Sequence, residues 1–276
     1  MKKITALLLA FILMALTACS GNTLASTTPV SPAQATSAGS ATSAPAATAT
    51  VVVTPIVVEY DTEDLVVNDS DATTIQLNGD AIAFTGSGVA VDGSRATITA
   101  GGTYRISGVL DNGQIIVNTG DKEKVTLILD GATLTCADNA PIYVVQADKV
   151  VITLADGSTN VVSDGATYNA EAVAADEPDA AIFSKADLTL NGGGALVVNA
   201  TYNHGIVSKD DLKITGGTIT VNAVVDGVKG RDSVAIKDGA LTIHAGGDGV
   251  QANNDEDAEK GVIAIEGGVL VITAGQ

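Results

Sequence analysis

The chain has 276 residues, with 32 acidic side chains against 14 basic ones and a formal net charge of −18. That balance repels phosphate backbones, and no cluster of Lys and Arg relieves it, so nucleic acid is excluded as a partner. Two cysteines, Cys19 and Cys136, rule out a disulfide framework, and the lack of Trp beside only five Tyr leaves few platforms on which a sugar ring could stack.

Residues 1–18 predict an export leader. Lys2 and Lys3 precede the apolar run ITALLLAFILMALTA, which is too short for a membrane span. The run ends in Leu16-Thr17-Ala18-Cys19, which resembles a bacterial lipobox and implies cleavage before Cys19 and diacylglycerol on its thiol; an ordinary signal peptide is the plainer alternative. Two acyl chains anchor a protein stably where one does not, so the expected location is extracellular, tethered to the bacterial cell membrane through this N-terminal lipid. The leader takes two lysines with it, so 12 of the 14 basic residues remain against 32 acids, a net of −20. Residues 19–57 are Ser, Thr, Ala and Pro with almost no charge and cannot bury enough surface to offset their ordering entropy, so a flexible stalk is expected there. Residues 58–276 suffice for one domain.

Within that domain the apolar positions repeat. From His204 onward they are Ile206, Leu212, Ile214, Ile219 and Val221, and 22 residues later Val228, Val234, Ile236, Leu241 and Ile243. The unit before supplies Ile182, Leu188, Leu190, Leu196 and Val198, and the unit after supplies Val250, then, past an insertion, Ile263, Ile265, Leu270 and Ile272. Each unit holds three short alternating strands rich in Val, Ile and Thr, separated by Gly and Asp/Asn turns. Such a repeat must stack on its neighbours to bury its apolar face, which predicts an all-β parallel β-helix with one coil per repeat. A β-sandwich is the rival fold, but its hairpins would not be self-similar at this period. Less regular coils are expected earlier, with Ile115/Val117, Val125/Leu127/Leu129, Leu134/Cys136, Ile152/Leu154 and Val161 inward. Cys136 aligns with Val221 and is expected in the core. The chain is expected to stop short of a capping element.

Equivalent residues on adjacent coils lie about 4.8 Å apart. Asp226-Gly227 and Asp248-Gly249 therefore stack, with His204 a coil below. A plain reading makes each Asp-Gly an Asx-type turn with a left-handed glycine; the alternative is that the repelling carboxylates hold a cation. Two insertions, 164–179 and 253–260, add hard oxygen ligands near this column, including Asp179, Asn253 and Asp255, of the kind calcium prefers. Lys185, Lys209 and Arg231 form a second column, followed by Asp210 and Asp232. They either neutralise the ladder or present cations to the carboxylates of an acidic sugar polymer. Tyr202, next to His204, and Tyr168 are the aromatic residues placed to meet a sugar ring.

The run from Asp179 to Gly261, with NHGI-SKDDLKI, DG-KGRDSV and DGVQ-NNDEDAEKG in succession, resembles the clostridial family of carbohydrate-binding β-helix proteins described as binding cellulose and acidic sugars; the resemblance extends over about residues 58–276. It implies a right-handed parallel β-helix similar to pectate lyases, bound Ca2+, and affinity for polygalacturonate-like polymers. Carried onto this sequence, the calcium ligands fall on Asp226, Asp248, Asn253 and Asp255, with Asp179 and Asp232 as further candidates. The carbohydrate-contacting residues are expected to be Lys185, Lys209, Arg231, Tyr202 and His204. The leading expectation is a surface-tethered protein that grips acidic polysaccharide through calcium, cellulose being a further partner. A calcium-dependent polysaccharide lyase and a non-specific envelope adhesin or spacer are the alternatives. No residue stands out as a lyase base from its column-mates.

Overall fold

The computed structural model describes residues 57–67 and 69–275. The leader, Cys19 and nearly all of the stalk lie outside these residues. The described chain is a parallel β-solenoid of about 7 turns. One coil runs His204–Ser208, Asp211–Ile214 and Thr218–Ala223, and each strand pairs in parallel with its equivalents one coil before and one coil after. Three faces result. The first carries Ile142–Gln146, Ala180–Ser184, His204–Ser208, Val228–Gly230 and Val250–Ala252. The second carries Lys149–Leu154, Asp187–Gly192, Asp211–Ile214, Ser233–Ile236 and Val262–Ile265, and the third Thr159–Asp164 through Val269–Thr273. The second and third faces join in one sheet through the 13-residue strand Lys124–Cys136, which pairs with both and turns the corner at Gly131, whose φ of 71° few residues other than glycine adopt.

The inward positions are those the repeat predicts. Ile206, Leu212, Ile214, Ile219 and Val221 are sealed from solvent, as are their equivalents in the coils on either side. Each such side chain contributes about 1.5–3 kcal/mol by leaving water, and none could do so without the coil above it. In the last described coil the same positions, Ile263, Ile265 and Ile272, are exposed.

Three details differ from the sequence expectation. Val162, not Val161, points into the core, because Val161 is in register with outward Val197 and Thr220. Cys136 is buried as expected but shares its slot with Ala200 and Ala223, and Leu134 is what aligns with Val221. The corner strand keeps the seven-residue step from Leu127 to Leu134 that separates Ile214 from Val221, so Cys136 falls two positions past that slot. The early coils also start differently: Thr73–Gly79 pairs antiparallel with Ala81–Thr85, and Val89–Asp92 with Arg95–Ile98, so hairpins cover the first turn.

Gly227 and Gly249 are not left-handed, unlike the glycines at many other turns. A side chain at Gly227 would put its Cβ 2.3 Å from Ile243 Cγ2 and 2.8 Å from the Gly249 carbonyl, and Gly205 and Gly249 face the same obstruction from Val221 and Ile272. This glycine column exists because the first and third faces meet there with no room for a methyl. Gly227→Ala is expected to cost about 1–3 kcal/mol through overpacking, read as a lower urea midpoint at unchanged slope.

Two elements lie outside the coil pattern. Residues 57–67, with the short helix α1 at Thr62–Leu65, form a strap over the second face. The insertion 165–179, with α2 at Ala170–Ala175, lies along the first face against Tyr143 and the Asp138 carbonyl. On that side Phe183 and Val207 point away from the solenoid core yet are buried, with Ala140, Ala180 and Tyr143, as a second small apolar cluster.

Candidate functional site: the charged corner between the first and second faces

The turn from the first face to the second brings the predicted cations into one file. Ser184 is in register with Ser208 and Ser208 with Gly230, so Lys185, Lys209 and Arg231 follow one another at the coil spacing. They are not free. Glu177 of the insertion bridges Lys185 at 2.6 Å and Lys209 at 3.0 Å, and Glu256 of the second loop pairs with Arg231. Burial works to raise the Glu177 carboxyl, but hydrogen bonds from the two lysines outweigh it and hold it below the usual range. The two insertions thus supply the carboxylates that neutralise this cation column. All three cations keep their side chains more than a third exposed, so they remain within reach of a ligand.

Beside them run two files of acids. Asp187 accepts the Asp211 amide at 3.2 Å, and Asp211 accepts the Ser233 hydroxyl at 2.7 Å. Asp232 accepts from Asn254 and from Lys260, each at 2.6 Å. Burial pushes Asp210 up, helped by repulsion from Asp232, whereas Asp232 ends below its usual range because the Lys260 and Asn254 hydrogen bonds overcome its burial. A groove of about 540 Å³ opens next to these files, lined by Asp211, Asp232, Asp257 and Glu259, by Glu59 and Asp61 of the strap, and by Lys213 and Lys260.

The Asp226–Asp248 column sits at a different corner, between the third and first faces. Its residues stack as predicted, and the hydrogen bonds explain why. The Asp226 amide donates to His204 Nδ1 at 3.2 Å, and the Asp248 amide donates to Asp226 Oδ1 at 2.9 Å. Each side chain therefore accepts the amide one coil further on, a linkage that needs an acceptor at every level. Asp226 is buried and also faces Lys229 at 3.6 Å, while Asp248 turns its Oδ2 to Gln251 Nε2 at 2.6 Å. His204 is buried between Asp226 and Asp179, its Nε2 3.6 Å from Asp179 Oδ2. Burial holds its imidazole below the usual value despite both carboxylates, and with Nδ1 accepting, Nε2 carries the proton toward Asp179. Burial raises the Asp179 carboxyl in turn, and its Oδ1 finds no hydrogen-bond partner among the described residues. Asn253 and Asp255 lie exposed in the loop beyond Val250–Ala252. Among the described residues no three His, Cys, Asp or Glu side chains converge as a metal-holding group.

Tyr202 stacks on Tyr168 at 4.0 Å and 14°, and the Tyr168 hydroxyl is bound to Asp164 and to the Ala180 carbonyl. The two aromatic candidates are thus each other's partners, with one face of Tyr202 already covered.

A family model described as carbohydrate-binding domain-containing protein matches residues 92–276, well over half of the chain. The chain belongs to that family. A carbohydrate-binding domain-containing protein of Acetivibrio thermocellus is 45% identical over 136 residues, which are 49% of this chain and 48% of the relative. The chain therefore spans about half the length of the curated relative it matches. A solved structure of a polysaccharide lyase-like protein from C. thermocellum, a gadolinium derivative, superposes with a TM-score of 0.72 at 41% identity, covering 74% of this chain and 82% of that one. Against this carbohydrate-binding background, the residues that sequence reasoning did not single out are in the strap: Asp61 and Asp64, with Lys149, Lys213 and Lys237 beneath them. The spacing Asp61-Thr62-Glu63-Asp64 before an apolar run is a helix-capping signature that could have flagged α1.

Proposed function

We propose that this chain binds an acidic polysaccharide of the polygalacturonate type along the corner between the first and second faces. The observation that carries the proposal is the file of Lys185, Lys209 and Arg231 at the spacing of the coils, next to an open acid-rich groove, in a member of a carbohydrate-binding family. A linear polymer laid along the solenoid axis meets an equivalent cation at each level, and arginine and lysine can exchange Glu177 and Glu256 for uronate carboxylates, which keeps the cations paired and releases the two glutamates. Calcium enters as a bridge. A chain of this net charge repels a polyuronate, and the groove acids Asp232, Asp257 and Glu259, with Asp255 nearby, offer hard oxygens whose coordination shell the polymer's carboxylates would complete. A neutral glucan such as cellulose has less to hold, one face of Tyr202. Display at the cell surface through a lipid on Cys19 belongs to the same proposal, checked by loss of palmitate labelling in Cys19→Ala. The lyase alternative draws support from the name of the structural neighbour, but Lys209 and Arg231 are both ion-paired, which ill suits a base.

The test is calorimetric titration with sodium polygalacturonate, with calcium and with EDTA. Binding is expected to need calcium, and Lys185→Ala/Lys209→Ala/Arg231→Ala to weaken it about tenfold to a hundredfold, three exposed ion pairs each contributing up to about 1 kcal/mol. Equal binding by that variant would remove the corner from the site.

A further inference from the structure

The strap crosses the second face along the solenoid axis. Tyr60 reaches Glu266 at 3.1 Å and sets its ring face against Lys237 and Lys213, Asp64 meets Lys213, Thr189 and Lys149, and Glu63 meets Lys124. Those partners descend the stack strand by strand. In a chain with 14 basic residues, four lysines converge under this one segment. The strap brings almost nothing apolar to the contact: Asp64 is the only buried residue of α1, while Leu65, Val66 and Val67 face solvent. It is held by ion pairs and by hydrogen bonds to its backbone, such as Lys213 to the Glu59 carbonyl at 2.8 Å and Asn191 to the Glu63 carbonyl at 3.0 Å. Contacts of this kind can be replaced by another anion, as packed side chains cannot. The open groove begins at the strap's own Glu59 and Asp61 and shares Lys213 with it, so a ligand in the groove already abuts the strap.

We infer that the second face is a binding channel for a linear polyanion and that residues 58–67 are its built-in occupant, an acidic segment that a polymer must displace to lie on Lys124, Lys149, Lys213 and Lys237. The inference rests on the proposed function for the class of polymer, a polyuronate, but not for the corner or for calcium. Binding here is purely to cations and needs no metal.

The experiment uses the full chain and sodium polygalacturonate in EDTA. Asp61→Asn/Glu63→Gln removes two charges from the strap at partly exposed positions, 56% and 32%, where the coils are not perturbed. The variant is expected to bind about tenfold tighter than the unmodified chain, a gain that disappears at high salt. In the unmodified chain, excess polymer should accelerate hydrogen exchange at the strap amides of Asp64 and Val66, which are bonded to Asp61 and Thr62. Unchanged or weaker binding by the variant, with those amides still protected under excess polymer, overturns the inference. If the corner variant binds calcium-bridged polymer as well as the unmodified chain, yet the strap variant gains metal-independent binding, the corner falls and the channel stands. If calcium-dependent binding is lost with the corner lysines but the strap variant gains nothing in EDTA, the channel alone falls.

Discussion

Asp64→Ala is expected to release the strap while leaving the coils folded. The carboxylate is fully buried, with Lys149 at 3.0 Å, Lys213 at 3.3 Å and the Thr189 hydroxyl at 2.6 Å. Removing it takes the buried carboxylate from Lys149, whose side chain is 4% exposed, and leaves it only Asp61 at 2.6 Å, a partner that is itself 56% exposed. Breaking a buried pair from one side costs about 3–5 kcal/mol. The contacts that remain, Tyr60, the partly exposed Asp61 and Glu63 ion pairs and the bonds to the Glu59 and Glu63 carbonyls, are individually weak, so the strap is expected to lift and the lysine to regain water. Hydrogen exchange reads the outcome: protection at Asp64 and Val66 should collapse while amides in the coil 204–223 keep theirs. Simultaneous loss of both would mean that the strap is part of the cooperative core. Acid should mimic the substitution. Hydrogen bonds from Lys149 to Asp61 and from Lys124 to Glu63 hold those carboxyls below their usual values, and at Asp64 the bonds from Thr189 and Lys149 outweigh a burial that works the other way. A depressed folded-state value stabilises above the ordinary carboxylate value and is lost as pH falls through the depressed one. Strap protection should therefore be constant near neutrality and fall only in acid below the ordinary value of about 3.8.

Phe183→Ala carries the second large effect. Phe183 is completely buried on the outer side of the first face, edge-on to Tyr143 with centroids 5.8 Å apart and close to Ala140, Ala180 and Val207. Truncating a buried phenylalanine costs about 3–5 kcal/mol, transfer and cavity together. Here the loss reaches the charged corner, because Lys209 Nζ sits 5.7 Å from this ring and Glu177 reaches Lys185 and Lys209 from the insertion on the same side. The variant should show a lower urea midpoint and also altered polygalacturonate binding, since the insertion that positions Glu177 loses the apolar bed beside it. A fall in stability with binding untouched would separate the insertion from the site.

Much of the fold was legible because a coil is a local object. Its five inward residues recur at intervals of 22 to 24 positions from Ile182 to Ile243, and any register but the stacked one would expose them. The vertical files at both corners follow from the same periodicity, so Lys185, Lys209 and Arg231, and Asp226 above His204, are found together as the repeat predicts. The period could not say which way a side chain in a file turns. Asp226 and Asp248 stack, but Asp226 accepts the Asp248 amide while Asp248 turns to Gln251, and Gly227 is required by Ile243 rather than by a left-handed turn. Where the coils are less regular, the spacing misled: the longer turn between Leu154 and Thr159 puts Val162 rather than Val161 inward, and Cys136 falls opposite Ala223.

The sequence by itself determined the solenoid, its core and the charged files, because alternation within a strand and repetition between coils are one-dimensional signals that burial converts directly into structure. Only the tertiary structure decided what meets across the coils from outside them. The partners of the strap and of the insertion, Asp64 with Lys149 85 residues away and with Thr189 125 residues away, leave no periodic trace. Their pairing is set by which charges fall beneath a segment once the stack exists, and a Coulomb contact between distant residues has no signature in the order of the chain.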